Sequence, residues 1–537
     1  MEMKQTQVNA AHARIGAQSS VWSSAVAGLA VLLLAVLFGG LVALGNPLLS
    51  AALVGLVAIP IALFAPRQLL WATVIGALAL VGLIEIYLPG LSFIRHAFVL
   101  SAGLFFLAVL IQRFPLMGRG AAKAEPVLTT AIVFLLCCLA AVVTNWQGVG
   151  NAIPGVKNYF QVWSLFLGLA LMTSWAGFEK TLPRVLLVIA ILQLPFALHQ
   201  YLFISPFRYG IGGGIVAVDI VSGTLGGNVA GGGQNALLAL FLSSAIGILL
   251  SLWRTGAIRA RVLFLLLPIL LLPMLLNSSR ASLVYGVAIF LVVFRREILK
   301  RPARVLAGAV GLAVLGAALL VSYKILDEMQ WGNRYESIWD MATEVIRKNT
   351  DEAEGYGSLT LNRTSALTFW FEEQRRYPLV KTLFGHGLSA AREGEGRLLD
   401  TSHNLANTRY ALVGIGLTTT SSLLWDVGVV GTAAAFALLY TAFVQTGRLA
   451  GRFAGNAYRS GLFEGLQATI LLVALSFFHK NYFTFHLGYQ VLFMTLIGFI
   501  VWASRQLEGQ PSVEQRSKSH PRIFGVRSMA KSQPGSR

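Results

Sequence analysis

Long apolar runs, broken by short polar or basic links, recur from one end of the chain to the other. An apolar stretch of about twenty residues crosses a hydrocarbon core as a helix, because helix formation satisfies every backbone group internally. On that rule the pattern predicts spans near 23–44, 47–65, 69–88, 91–112, 126–144, 156–174 and 183–203. A second series follows near 236–253, 260–277, 281–295, 305–323, 422–444, 460–479 and 483–503. The expected fold is all-α, a polytopic membrane protein of about 14 transmembrane helices. Its layout is a cytoplasmic N-terminal extension at 1–22, helices across 23–323, and a large outer loop with short helices at 324–421. Three more helices across 422–503 and a disordered, basic cytoplasmic tail at 504–537 complete it. About twenty mixed polar residues precede the first run without a clear small-residue cleavage site, so no cleaved signal peptide is expected.

Charge fixes the orientation. With the N-terminus inside, the cytoplasmic loops hold Arg67; Arg113, Arg119 and Lys123; Lys180 and Arg184; Arg254, Arg259 and Arg261. The next hold Arg295, Arg296, Lys300, Arg301 and Arg304, then Arg448, Arg452 and Arg459, before the basic tail. The opposite short loops offer Lys157, Arg208, Arg280 and Lys480. Every alternate loop obeys the positive-inside rule, which places both termini in the cytoplasm and the large loop outside.

Composition agrees: 56% of the 537 residues are hydrophobic and 12% are charged, about half the charged fraction of a soluble domain. The net charge of +19 sits in short loops and the tail rather than along an amphipathic face, so nucleic acid is not an expected partner. Cys137 and Cys138 are adjacent inside an apolar run and are expected to be buried free thiols. No internal repeat is evident.

Ionisable residues at membrane depth and basic residues on the outer side are where chemistry is expected. Glu85 lies near the end of its span and is expected to snorkel; Arg95, just inside its helix, suits an interfacial anchor or an anion partner equally. Arg280 follows Asn277-Ser278-Ser279 at the junction of two spans, where a helix terminus adds free N–H groups to a guanidinium. That pairing suits phosphate oxygens as well as it suits a snorkelling anchor. Arg208 and Lys157 carry the same ambiguity. Residues 210–233, GIGGGIVAVDIVSGTLGGNVAGGG, match no nucleotide-binding fingerprint. They predict an irregular connection that lets backbones approach closely, or a flexible outer loop.

Within the large loop, LNRTSALTFWFEEQRRYP predicts an amphipathic helix with Asn362 as N-cap, Arg363 in its first turn and Pro378 as its end. A turn, LFGHG, follows at 383–387, and then Thr401-Ser402-His403-Asn404. A histidine titrates near neutrality and can accept a hydroxyl proton, although a lone loop histidine is more often inert.

Taken in order, these features resemble the O-antigen polymerase and O-antigen ligase superfamily of bacterial inner-membrane glycosyltransferases. The resemblance is carried by Arg280 at a span junction, Arg363 and Trp370 on a loop helix, and the LFGHG turn. It continues through the His403-Asn404 pair to Asp426-Val427-Gly428-Val429-Val430-Gly431 opening the next span. It covers about 280–435. One departure is that 23 positions separate His403 from Asp426, with ALVGIGLTTTSS between them.

The resemblance implies a periplasmic loop and a metal-independent transfer from a polyprenyl-pyrophosphate-linked glycan to an acceptor hydroxyl, with no cofactor. It implies Arg280 and Arg363 as catalytic groups on the leaving pyrophosphate, with Arg208 binding it, His403 activating the acceptor, and Asn404 as a substrate-binding neighbour. A polymerase would use an acceptor glycan on a second lipid; a ligase would use a lipid A core or another glycolipid. Membrane lipids and other polysaccharide-assembly proteins are the implied partners. The product would be an O-antigen, capsule or exopolysaccharide. A flippase of lipid-linked oligosaccharides is the rival from another class, and such transporters place charges within several helices.

Overall fold

The computed structural model describes residues 59–60, 62–113, 125–146, 149–173, 175–208, 216–229, 232–277, 279–300, 302–332, 335–351, 355, 359–392 and 404–508. The N-terminal extension, the first predicted span, most of the second, His403 and the tail from 509 onward lie outside the described residues. The chain divides into two units, Met1–Leu69 and Leu70–Arg537. In the first, the described residues are mostly helical. The second holds the bundle and the candidate site.

The described residues are helical, with one isolated bridge, Gly227 to Gly233, and no strand. Each span predicted from residue 69 onward falls largely on helix, and among the described residues eight segments are long and apolar enough to cross a membrane. They are Pro66–Tyr87, Pro89–Arg113, Pro126–Thr144, Phe178–Arg208, Asn235–Arg254, Gly308–Met329, Thr419–Arg452 and Leu487–Gln506.

The remaining predicted spans differ in instructive ways. The segment predicted at 156–174 is two helices, Val149–Phe160 and Trp163–Leu171, broken at residues 161 and 162. Ala260–Leu276 and Ala281–Val293 have 17 and 13 residues. A helix rises about 1.5 Å per residue, so the latter covers only about two-thirds of a hydrocarbon core of about 30 Å. Ala457–Ser476 carries Arg459 and Glu464 in its first half. The helix at 302–331 runs past the predicted boundary at 323, and the last helix runs on to Glu508, through the first residues of the predicted tail.

Burial separates central from peripheral helices. Leu487–Gln506 is enclosed along its whole length and Asn235–Arg254 along most of it. Asn235–Arg254 packs against Ala457–Ser476, which packs in turn against Thr419–Arg452. Gly308–Met329 instead exposes Val310, Val314, Val321 and Ile325, an apolar stripe at helical spacing suited to lipid. At one end of the bundle, buried or half-buried carboxylates meet arginines: Arg254 bridges Glu297 and Glu464, and Arg459 pairs with Glu179. Cys137 and Cys138 are free and buried.

The glycine-rich stretch follows the first of its two predicted forms. Its residues 216–227 are largely enclosed, with Ser222 and Thr224 fully buried, so their irregular backbone needs partners from the helices around it. Two glutamines of the Phe178–Arg208 segment supply them. Gln200 Oε1 accepts from the N–H groups of Ser222 at 2.9 Å and Gly223 at 2.8 Å, while its Nε2 donates to the Gly223 carbonyl at 2.6 Å. Gln193 Oε1 accepts from Thr224 N–H at 2.8 Å and its Nε2 donates to Thr224 Oγ1 at 2.7 Å. Gly82 lies so close that a Cβ there would sit 2.1 Å from the Gly226 nitrogen. Glu85 does not snorkel; it is half-buried against this loop and accepts from Gly227 N–H.

Replacing Gln200 with Ala is expected to strand three buried backbone groups at about 1–3 kcal/mol each. Thermal unfolding of the full chain in detergent should show a large drop in Tm. An unchanged Tm would mean that the loop is not held in this way.

Candidate functional site

The loop following the helix at 302–331 is a small packed unit rather than a tether. Ile338–Thr350 carries a capping box between Ser337 and Asp340. Leu361, Ala366, Trp370, Ala391, Ala406, Tyr410 and Ile415 then build a core on Trp425 of the spanning helix Thr419–Arg452. The loop is therefore fixed to the bundle by two fully buried tryptophans, Trp370 and Trp425.

Two segments that share the resemblance, far apart in sequence, meet here. Thr419–Arg452 is broken at Gly428, whose φ of 68° and ψ of −169° suit glycine alone. The break frees the carbonyls of Trp425 and Asp426. The 383–387 turn satisfies them: His386 N–H donates to Trp425 O at 2.7 Å and Gly387 N–H to Asp426 O at 3.0 Å. Gly385 has φ +72°, and a Cβ on it would lie 2.4 Å from the Asp426 carbonyl. The Asp426 side chain is completely buried and accepts from Tyr159 Oη at 2.6 Å, Ala391 N–H at 2.8 Å and Ser422 Oγ at 3.4 Å. It works as a clamp between helix, turn and loop.

The residues between His403 and Asp426 also have a local job. Thr360 N–H donates to Leu412 O at 3.0 Å and Leu361 N–H to Val413 O at 2.9 Å. Leu412 adopts a left-handed φ of 60° to present these carbonyls. This contact holds the chain just ahead of Arg363. Asn362 closes the next turn, its Oδ1 accepting from Thr364 N–H at 3.0 Å and Ser365 N–H at 2.8 Å. The helix beyond that turn is shorter than predicted, Ser365–Gln374, so Arg363 lies just before it rather than in its first turn.

From there Arg363 reaches across to the bundle. Its Nε donates to the His479 carbonyl at 2.7 Å and Nη1 to Asn349 Oδ1 at 2.6 Å. Its charge acts on the neighbouring Lys480, and Lys480 acts on Asp219. Asp219 also feels Arg208 and Arg280. Arg208 and Arg280, picked from separate segments of sequence, thus act with Lys480 on one partly buried carboxylate, and Arg363 acts on Lys480 in turn.

Backbone scaffolding explains why these cations hold still. Arg208 is 1% exposed and donates through Nη1 to the Ala217 carbonyl at 2.8 Å. Arg280 is the N-cap residue of Ala281–Val293. The turn before it is pinned by Tyr323 Oη, which donates to Ser279 O at 2.6 Å, and by Asn277 Oδ1, which accepts from Ser279 N–H at 2.9 Å. Asp219 Oδ1 accepts from Asn235 Nδ2 at 2.9 Å, beside the start of Asn235–Arg254. The N-termini of these two helices add partial positive charge beside the guanidiniums.

Burial raises the pKa of the Asp219 carboxyl above the ordinary range, although Lys480, Arg208 and Arg280 all pull it down. Burial lowers that of Lys480, with the opposite charge of Asp219 opposing and Arg363 adding to the fall. Three cations against one carboxylate leave a surplus of positive charge in partly desolvated surroundings, where each charge acts more strongly than in water.

The basic zone continues. His486, between Lys480 and the last spanning helix, feels both Lys480 and Arg95. Arg95 acts in turn on Lys157 and Arg392. Arg392 stacks over the Phe485 ring at 4.7 Å. Arg95 and Lys157 are exposed.

Asn404 is placed apart from the arginine group. Its Oδ1 accepts from Asn407 N–H at 3.0 Å, capping the short helix Leu405–Thr408, and its Nδ2 donates to Arg392 O at 2.6 Å. It also lines a cavity of about 290 Å³. Sequence reasoning missed the parts played by Asp219, Lys480 and Arg392. The usable signal was that Lys480 and Lys157, like Arg208 and Arg280, break the charge bias of their side.

No protein-family model matches the chain, and no curated protein matches it.

Proposed function

We propose that the protein transfers a glycan from a polyprenyl pyrophosphate to an acceptor hydroxyl, and that it is a polysaccharide polymerase. The observation that supports this reading is the convergence of Arg208, Arg280 and Lys480 on Asp219, with Arg363 acting on Lys480. A leaving pyrophosphate develops negative charge as the bond from its oxygen to the anomeric carbon breaks. Fixed cations and helix N-termini stabilise that charge without reorganising, an effect worth about 10²–10³ in rate for a single donor. The acceptor oxygen attacks the anomeric carbon and gives its proton to a base, for which His403 is the candidate.

Orientation follows from charge. Because the alternate loops carry the lysines and arginines, the cluster faces the non-cytoplasmic side of a bacterial inner membrane. The substrate's polyprenyl chain would lie among the spans while its pyrophosphate meets the cluster at the surface. Gathering these charges at one end of the bundle suits surface catalysis better than a transport path.

The test is purified protein in lipid with a polyprenyl-pyrophosphate-linked repeat unit as sole substrate, analysed by gel. A ladder of lengthening glycans is the expected result. Transfer only after a lipid A core is added would make the protein a ligase. Absence of turnover with every acceptor would overturn the transfer reading.

A further inference from the structure

The geometry points to a separate saccharide-binding cavity, walled by Trp146, Lys381, His386, Ser389, Asn404 and Thr408, that holds a sugar residue of the acceptor. It lies where Pro126–Thr144 ends against the 383–387 turn. Asn145, the C-cap of that helix, donates through Nδ2 to the Gly385 carbonyl at 3.1 Å and accepts from Lys381 Nζ. Gly387 has φ +102°, and a Cβ there would meet Asn145 Cβ at 3.3 Å, so the turn must be glycine to sit this close. The floor is thereby rigid.

The walls have the chemistry of a sugar site. Trp146 is 58% exposed at the rim, offering an aromatic face to the apolar C–H side of a pyranose ring. Ser389 and Thr408 bring hydroxyl groups to the wall and Lys381 adds a donor, while the Asn404 amide, held by Asn407 and Arg392, fixes the wall's shape. Burial, with Lys381 and Arg409 nearby, pushes the His386 pKa down to about 4, so its ring is neutral at pH 7; Nε2 accepts from Gln374 at 3.3 Å, which leaves Nδ1–H as a donor. No carboxylate lines the cavity among the described residues, so it does not repel an acidic sugar. At about 290 Å³ it falls at the lower edge of the roughly 300–1,000 Å³ range of small-molecule sites, which suits one or two sugar rings.

Its position ties it to the basic zone. Pro154, which lines it, precedes Lys157 by about one turn of the same helix, and the Arg392 carbonyl accepts from Asn404. Sequence-distant elements thus set the sugar pocket beside the cations. Assigning the bound sugar to the acceptor rests on the proposed transfer reaction; sugar binding itself does not.

Two experiments separate those claims. Saturation-transfer NMR on the full chain in detergent would use glucose, N-acetylglucosamine and glucuronic acid as probes. At least one should receive saturation from the protein. Trp146→Ala should weaken binding about tenfold, and Trp146→Phe should restore most of it. Silence from all three sugars, or binding unchanged in W146A, would overturn the cavity assignment and leave Trp146 as a membrane-interface anchor. In the transfer assay, W146A should raise KM for the acceptor and leave KM for the lipid-linked donor unchanged. Sugar binding with an equal rise in both constants would overturn the acceptor assignment alone.

Discussion

Arg280→Gln is expected to cut glycan transfer by about 100-fold or more while leaving the protein folded. The expectation follows from how Arg280 is held. Its backbone is fixed by the Asn277 turn and by Tyr323, and its guanidinium is only partly buried. Removing the charge therefore leaves those contacts in place. The loss is one of three cations acting on Asp219 and on any anion that enters beside it. Asp219 would keep Lys480 and Arg208, so Tm should move by no more than a degree or two. Arg280→Lys should recover part of the rate, because it restores charge without the planar fork. Initial rates and thermal unfolding on the same preparations check both halves. A rate within threefold of the parent would remove Arg280 from the reaction.

Gly428→Ala should have a large structural effect for a single added methyl group. Its φ and ψ lie in a region open to glycine and hardly to other residues. A Cβ there would also sit 2.4 Å from Leu383 O and 2.5 Å from the Gly385 nitrogen. Neither backbone atom can withdraw, because the 383–387 turn is hydrogen-bonded to Trp425 and Asp426 on the same helix. Strain and clash together should exceed about 3 kcal/mol, enough to prevent accumulation of monodisperse protein. Gly451, in the same helix with open space around it, is the control, and Gly451→Ala should be nearly silent. Size-exclusion profiles of the two variants decide the matter; equal profiles would mean the break at Gly428 is not needed.

The sequence disclosed the spans best where apolar length alone decides the outcome, as at Pro126–Thr144, which matches the predicted segment residue for residue. It did not disclose the breaks. The interruption at Gly428 is favourable only because a turn some forty residues earlier supplies its missing donors, and no local pattern announces a distant partner. The same is true of residues 222–224, whose backbone depends on two glutamines of another helix. The short helix Ala281–Val293 was predicted as a span because its apolar content, not its length, is typical of one.

For the site, the charge bias carried more information than the motifs. Arg208, Arg280, Lys480 and Lys157 were the short-loop exceptions on the predicted outer side. Three of them act on Asp219 and the fourth belongs to the adjoining Arg95–Arg392 group. An exception to a topological rule costs nothing to read and here pointed to the same zone as the structure. Asp219, inside the glycine-rich stretch, was invisible because a single carboxylate in an irregular loop has no pattern. Arg363 was singled out for its charge, while its tie between the loop and the His479 carbonyl depends on tertiary contact.

The central claim is bond cleavage at a lipid-linked pyrophosphate, and the release of free polyprenyl pyrophosphate tests it most directly. Protein reconstituted in vesicles with the lipid-linked repeat unit should release one polyprenyl pyrophosphate for each glycosidic bond formed. Release and bond formation should fall together in Arg280→Gln. A lipid-linked unit that crosses the bilayer intact, with no polyprenyl pyrophosphate released, would contradict the account and make the protein a transporter.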